Sequence, residues 1–335
     1  MPLINRFGWS LSREAMFDEC KRRYYFHYYL SWGGWNNDAS EIARESFKLK
    51  RLVSLPLWRG QLVHYVVSKI LQSTKRRGKL PDRRDVLRYT EEHFNRQFEF
   101  SRTKRYLTEP KKRNGKLNRD WLALFEHEYN IELPSEKVSA TLAETTAAVD
   151  GFYHSPILEI LRETETSKWI IEDIDIGSFS QSFDFEGALI HVKTDFIFRG
   201  SDGTFNIVDW KTHRRDGAND EKEQGGGASE IQLGVYAYYA SKVLGEEPDN
   251  IRLYEVNLLD GGSIEQYRVE ENSISVFESY IRNGIDKLSR VLEGHDIEAN
   301  LPLPPENFPK IDNHNCRYCN FFRICKDTSS NIRLQ

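Results

Sequence analysis

The chain has 335 residues, 39% of them hydrophobic and 29% charged, with a formal net charge of −4. It is long enough for a substantial core and one or two domains, no apolar run approaches a membrane span, and Met1 to Trp9 lacks an apolar signal region, so a soluble, cytoplasmic protein is expected. The small net charge does not announce a nucleic-acid binder; the distribution of charge along the chain is more informative than its sum.

In chain order, Ser10 or Ser12 can cap a helix that runs through Cys20 to about Leu30 and stops at Trp32-Gly-Gly-Trp35. A linker follows to Leu55. Trp58 to Ser73 has helical apolar period and carries His64 within Leu62-Val-His-Tyr-Val-Val67. Taken alone, a histidine there reads as a satisfied core residue. Residues 82 to 165 read as mostly helical, with Trp121-Leu-Ala-Leu-Phe125 and Val138 to Phe152 as amphipathic stretches. Basic blocks stand at Lys75-Arg-Arg77, at Arg83-Arg84 and between Arg102 and Arg119. The last block suits phosphate contacts or a solvated loop equally well, and Pro110 and Gly115 within it argue against a continuous helix.

Strands are expected next. Trp169 to Ile176, which contains Glu172, is one; Gly187 to Arg199, which contains Asp195, is another. The turn cluster Gly200-Ser-Asp-Gly203 joins it to a strand over Phe205 to Thr212, so Asp195 and Asp209 are expected on antiparallel neighbours. Asp209 and Lys211 are two apart and share a strand face, while Val208 and Trp210 point the other way. A carboxylate beside an ammonium is costly in a core. It is also what a metal-dependent phosphodiesterase needs: an oxygen ligand for a divalent cation, and a cation beside the attacking water. The competing reading is a surface ion pair, which the apolar neighbours disfavour.

After the glycines Gly225 to Gly227, a helix from about Ala228 to Leu244 places Gln232 and Tyr236 on one face. Ile251 to Leu258 and Ser263 to Val269 alternate as a hairpin across Asp260-Gly-Gly. A helix over Ile274 to Leu292, capped by Ser273, and an extended arm, Leu301-Pro-Leu-Pro-Pro305, lead into the last segment. There is no internal repeat. No Gly-x-x-x-x-Gly-Lys-Ser/Thr appears, so an unwinding motor would have to be a separate chain.

Gly60-Gln-Leu-Val-His64, Asp195, Asp209-Trp-Lys211 and Gln232-Leu-Gly-Val-Tyr236 occur in that order. This ordered set resembles the PD-(D/E)XK nuclease superfamily, and within it the RecB-like branch. The resemblance implies an α/β fold with a restriction-endonuclease-like core, a mixed central sheet flanked by helices, together with a helical N-terminal region and a C-terminal cysteine segment. It implies units at 1–55, 56–165, 166–295 for the nuclease core, and 296–335. The activity implied is divalent-metal-dependent hydrolysis of DNA, as an exonuclease in repair, recombination, CRISPR adaptation or phage defence. His64, Asp195, Asp209 and the carbonyl of Trp210 would hold Mg²⁺ or Mn²⁺. Lys211 would orient the water, and Gln232 and Tyr236 would hold the substrate strand or the lysine. Glu172, on the preceding strand, would be an outer carboxylate or a ligand to a second metal ion. The partners implied are DNA and a separate helicase or other processing subunit; the alternative is a scaffold of the same fold that binds DNA without cutting.

There are four cysteines: Cys20 near the start, and Cys316, Cys319 and Cys325 bunched at the end. Four thiols with a Cys-x-x-Cys core suggest one tetrahedral thiolate site, open to zinc or to an iron-sulfur cluster. Zinc sites usually show two close pairs. The one-plus-three arrangement here resembles that of the iron-sulfur nucleases, the AddB-type and the CRISPR-associated RecB-like exonucleases, which implies a 4Fe–4S cluster. Lys21 stands where those families commonly have proline after the first cysteine.

Overall fold

The computed structural model describes residues 4–109, 112–113, 116–170, 181–213, 226–312 and 314–325. Gly8–Trp9 (β1) leads directly into Leu11–Glu19 (α1), whose first turn is closed by Ser10: its hydroxyl accepts the Arg13 amide at 3.2 Å. The helix expected to run on to Leu30 is broken at Cys20, which is extended at φ −164°. Lys21–Tyr25 (α2) then continues into a π-helical turn, Phe26–Leu30. The expected linker contains a helix, Glu41–Leu49 (α3), capped by the Ser40 hydroxyl on the Ala43 amide.

Leu55–Arg77 (α4) is the longest helix described, and it ends on Gly78 at φ 71°, a left-handed position that glycine fills without strain. Arg83–Arg102 (α5) is capped by Asp82. Lys112–Arg113 (β2) and Lys116–Leu117 (β3) form a short antiparallel ladder. The neighbouring basic residues are partly neutralised: Arg102 pairs with Glu99 and Arg105 with Glu109. Trp121 to Leu124, expected to be helical, is extended. The Val53 amide donates to the Ala123 carbonyl at 3.1 Å and the Phe125 amide to the Val53 carbonyl at 2.9 Å, a bridge that competes with helix. Helix is limited to Phe125–Glu128 (α6), followed by Ser135–His154 (α7) and Ile157–Arg162 (α8).

The strands are Trp169–Ile170 (β4), Gln181–Phe185 (β5), Ala188–Val192 (β6), Phe196–Arg199 (β7), Phe205–Lys211 (β8), Ile251–Asn257 (β9) and Ser263–Arg268 (β10). The remainder of the strand expected after Ile170, Glu172 included, lies outside the described residues. Gly226–Tyr238 (α9) precedes β9, and Glu271–Ser289 (α10) follows β10, starting after Glu270 rather than at Ser273. Five strands form one sheet in the order β10-β9-β8-β7-β4, with β8 and β9 parallel and the other neighbours antiparallel. The parallel pair requires a crossover, and α9 lies within it. A second sheet, β1-β6-β5, pairs Gly8 and Trp9 in parallel with Leu189 and Ile190.

The single strand expected over Gly187 to Arg199 is therefore two, in two sheets. The chain leaves β6 and enters β7 through Lys193, Thr194 and Asp195. Both faces of the larger sheet are covered. Phe205 and Ile207 of β8, with Ile251 and Leu253 of β9, join a core shared with α9 and α10. Val208 and Trp210, with Tyr254 and Val256, join the core built on α4, α7 and α8. A third, smaller core gathers Phe26, Leu49, Phe100 and Trp121 with Phe321 of the cysteine segment. The two chain ends are further tied together. Arg22 Nε donates to the Phe308 carbonyl at 2.7 Å, Asn300 Nδ2 to the Asn5 carbonyl at 2.8 Å, and Lys287 Nζ pairs with Glu14 at 2.6 Å. Among the described residues no helix is long and apolar enough to cross a membrane.

Candidate active site

The two-residue period of β8 sends Asp209 and Lys211 to the α9 side of the sheet, with Asp209 only 4% exposed. Lys211 Nζ stands 2.8 Å from Asp209 Oδ2, 3.2 Å from Glu255 Oε1 and 3.1 Å from Gln232 Oε1. Glu255 comes from β9, where the parallel register sets it opposite Asp209. Glu255 is not evident from the sequence, because a lone glutamate in an alternating strand ordinarily marks the solvent side. Its available signal was the run of apolar residues around it, Leu253, Tyr254 and Val256.

From α9, Gln232 Nε2 donates to Asp209 Oδ1 at 3.2 Å and to the Tyr236 hydroxyl at 2.6 Å. The Tyr236 hydroxyl lies 2.6 Å from the Lys193 carbonyl and 3.3 Å from Asp209 Oδ1. It has one proton, and the shorter contact takes it. Gln232 and Tyr236 thus connect the β8 carboxylate to the joint between the two sheets.

Asp195 sits in that joint, one residue before β7, and is buried. Its Oδ2 accepts the Trp210 amide at 2.9 Å and its Oδ1 meets His64 Nδ1 at 2.8 Å. The antiparallel pairing of Phe196 with Val208 brings Asp195 alongside Asp209. His64 reaches them because the start of α4 docks on the end of β8. Arg59 Nη2 donates to the Thr212 carbonyl at 2.9 Å, and a Cβ on Gly60 would stand 3.1 Å from Thr212 Oγ1. The missing side chain at Gly60 lets the helix approach, and His64 follows one turn later on the same face.

Charge in this buried cluster is unevenly shared. Burial pushes the Asp195 carboxyl up, but His64 and the Trp210 amide pull it below its ordinary range. Burial disfavours the His64 imidazolium, and Asp195 more than offsets this, so its pKa is raised. Burial, with Asp195 beside it, pushes Asp209 up to about 6 despite Lys211. Burial also opposes the Lys211 ammonium, yet Asp209 and Glu255 hold its pKa above the ordinary value. Asp209 is thus the carboxylate of the pair that protonates first, and Lys211 stays cationic.

Among the described residues no three His, Cys, Asp or Glu side chains stand in a closed ligand set. The reason is visible here: Asp195 is turned onto His64 and the Trp210 amide, and Asp209 onto Lys211. The donor chemistry nevertheless suits a divalent cation. Two adjacent buried carboxylates and one imidazole are hard-to-borderline ligands, and the raised Asp209 pKa marks excess negative charge that a cation would neutralise. Trp210 contributes its amide to Asp195; the role expected of its carbonyl is separate from that contact.

The four cysteines carry free thiols, all half-buried. Cys319 and Cys325 belong to the third core, beside the π-helical turn that follows Cys20 and α2. Burial pushes the Cys319 thiol up to about 11, with Cys325 and Cys20 adding to it, and burial raises Cys325 too, with Cys20 and Cys316 adding. Cys20 thus lies near enough to act on the Cys319 and Cys325 thiols. Soft thiolate donors at half-buried positions suit zinc or iron-sulfur.

No curated protein matches the chain at a significant level. A sequence profile of the PD-(D/E)XK nuclease superfamily, in contrast, matches residues 8–326, which takes in both sheets, the cluster around Lys211 and all four cysteines. Nucleases of this superfamily typically use Mg²⁺ or Mn²⁺, and the mixed sheet flanked by helices is its restriction-endonuclease-like core. The chain belongs to the PD-(D/E)XK nuclease superfamily.

Proposed function

We propose that the protein is a divalent-metal-dependent deoxyribonuclease of the RecB-like branch, acting as an exonuclease in DNA repair, recombination, CRISPR adaptation or phage defence. The observation that carries this reading is convergence. Asp209, Lys211, Gln232 and Tyr236 are linked by contacts of 3.3 Å or less, and the His64–Asp195 pair joins them through the Trp210 amide, so a helix, a joint, a strand and a second helix meet at one place.

In this reading Asp195, Asp209 and His64, with the Trp210 carbonyl, hold Mg²⁺ or Mn²⁺, and the nitrogen donor favours Mn²⁺. When bound, the ion supplies a polarised phosphate and an acidified water. Lys211, kept cationic, is not a general base. It donates to the attacking water or to the phosphate oxygen where negative charge develops. Gln232 holds the lysine through Oε1 and Asp209 through Nε2, and Tyr236 fixes the joint that carries Asp195. Cys20, Cys316, Cys319 and Cys325 hold a 4Fe–4S cluster that closes the chain ends together, with zinc as the lesser reading. A helicase, where one takes part, is a separate chain, and the setting is the cytoplasm. The non-cutting scaffold is disfavoured because the chain keeps both aspartates and the lysine.

The test is digestion of end-labelled single- and double-stranded DNA, linear and circular, with Mg²⁺ or Mn²⁺. Asp195→Ala, Asp209→Ala and Lys211→Ala should each reduce cutting by about 10²–10³, the two aspartate variants also losing metal affinity. A folded Asp209→Ala protein that cuts at the wild-type rate refutes the assignment.

A further inference from the structure

We infer that Glu255 is a positioning residue that keeps Lys211 in place when Asp209 is engaged by the metal ion; this rests on the nuclease reading above. A lysine ammonium has three N–H groups and no acceptor. Those of Lys211 meet three oxygens: Asp209 Oδ2 at 2.8 Å, Gln232 Oε1 at 3.1 Å and Glu255 Oε1 at 3.2 Å. All three N–H groups of the ammonium are therefore used.

If Asp209 serves as a metal ligand, its hold on Lys211 is the one that weakens. With only Asp209 and a neutral amide, the ammonium would lose its one ionic anchor at the moment its position matters. Glu255 supplies a second. It is 8% exposed and is set opposite Asp209 by the β8–β9 register; its other oxygen lies 3.2 Å from the Tyr267 hydroxyl, whose single proton goes to Glu265 at 2.7 Å. The carboxylate is thus placed by its strand, independently of Asp209. Two anchors, Glu255 and Gln232, then hold two N–H groups, and the third is released toward the water or phosphate. Glu255 acts through Lys211 and touches neither substrate nor metal.

The test uses Glu255→Gln, which keeps shape and removes charge, beside Glu255→Ala in the whole chain. Three quantities are read: kcat on linear DNA, Mn²⁺ affinity by calorimetry, and the ¹⁵N signal of the Lys211 ammonium in the Mn²⁺-free and the Mg²⁺-loaded protein. Glu255→Gln should lower kcat by about 10²-fold, the usual consequence of a misplaced catalytic group. KM and metal affinity should be unchanged, and the Lys211 signal should broaden or vanish on Mg²⁺ loading, where the wild type keeps it. Wild-type kcat with a retained Lys211 signal in Glu255→Gln overturns the proposal. Loss of Mn²⁺ affinity in that variant also overturns it, since Glu255 would then be a ligand. Should the wild type fail to cut DNA, the nuclease reading falls, and the ammonium signal still reports whether Glu255 holds Lys211.

Discussion

Removing a single oxygen at Tyr236 tests whether the joint between the two sheets is held from α9. The ring of Tyr236 is 3% exposed, and its hydroxyl donates to the Lys193 carbonyl while accepting from Gln232 Nε2, both at 2.6 Å. Burial and the two neighbouring aspartates hold its pKa well above the ordinary value, so the group is a neutral donor at any working pH. In Tyr236→Phe the ring still packs, but the carbonyl loses its donor and one Gln232 N–H loses its acceptor. Gln232 is half-buried and keeps Asp209 as a partner, so water can compensate there. The carbonyl bears most of the loss; it belongs to an exposed residue, so the cost is the net worth of an ordinary hydrogen bond, about 1 kcal/mol, or about 5-fold in the folding equilibrium. Urea titration of the metal-free protein measures it as a lower midpoint with unchanged slope. Because the same hydroxyl fixes the segment that carries Asp195, Mn²⁺ affinity should fall as well. A variant with wild-type midpoint and wild-type affinity would refute the argument that this hydroxyl sets the joint.

The remaining expectations concern protons and the thiols. His64 and Asp209 both have raised pKa values; near pH 6 Asp209 is about half protonated and His64 more than half, and a metal ion must displace those protons. Mn²⁺ affinity should therefore rise between pH 6 and 7.5, with proton release seen as buffer-dependent calorimetric heat; a flat profile would contradict this. His93 is buried, and burial lowers its pKa to about 4 despite Asp120. Its folded value is below the unfolded one, so its stabilising contribution is complete above about pH 6.5 and is lost as pH falls toward 4, by up to about 1.4 kcal/mol per pH unit. Urea midpoints at pH 7 and pH 5 should differ less in His93→Gln than in the wild type, and equal differences would remove His93 from the acid response. Anaerobically purified protein should be brown, and Cys20→Ser should bleach it and lower the melting temperature. Colourless protein with about one zinc per chain would establish the zinc site instead.

What was legible in the sequence depended on how local the physics was. Asp209 and Lys211 followed from the two-residue period of one strand, and Gln232 with Tyr236 from a single helical turn. The hairpin of β9 and β10 was marked by Asp260-Gly-Gly. Asp195 was found, but its setting was not: continuous β-forming residues conceal a joint whose position is decided by Tyr236 and Trp210, both distant in sequence. Glu255 was missed because partnership across parallel strands depends on register, which a crossover of nearly forty residues leaves open. Trp121 to Leu124 has the composition of a helix, and only its bridge to Val53 makes it extended. The short helix α3 has just Ala43, Ser46 and Leu49 facing inward, a pattern too brief to separate from a linker.

The tie between the chain ends also bears on how the protein is made. Trp9, Phe17 and Tyr24 become buried only in a core that includes α10 and Phe308, and the Arg22–Phe308 bond spans 286 positions. At roughly 5–20 residues per second of translation, the first helices wait roughly 15–60 s for their partners to leave the ribosome. The N-terminal segment is therefore among the last parts to be secured rather than the first. During that interval its aromatic surface is available to holding chaperones, and a ribosome that stalls before α10 leaves that surface uncovered.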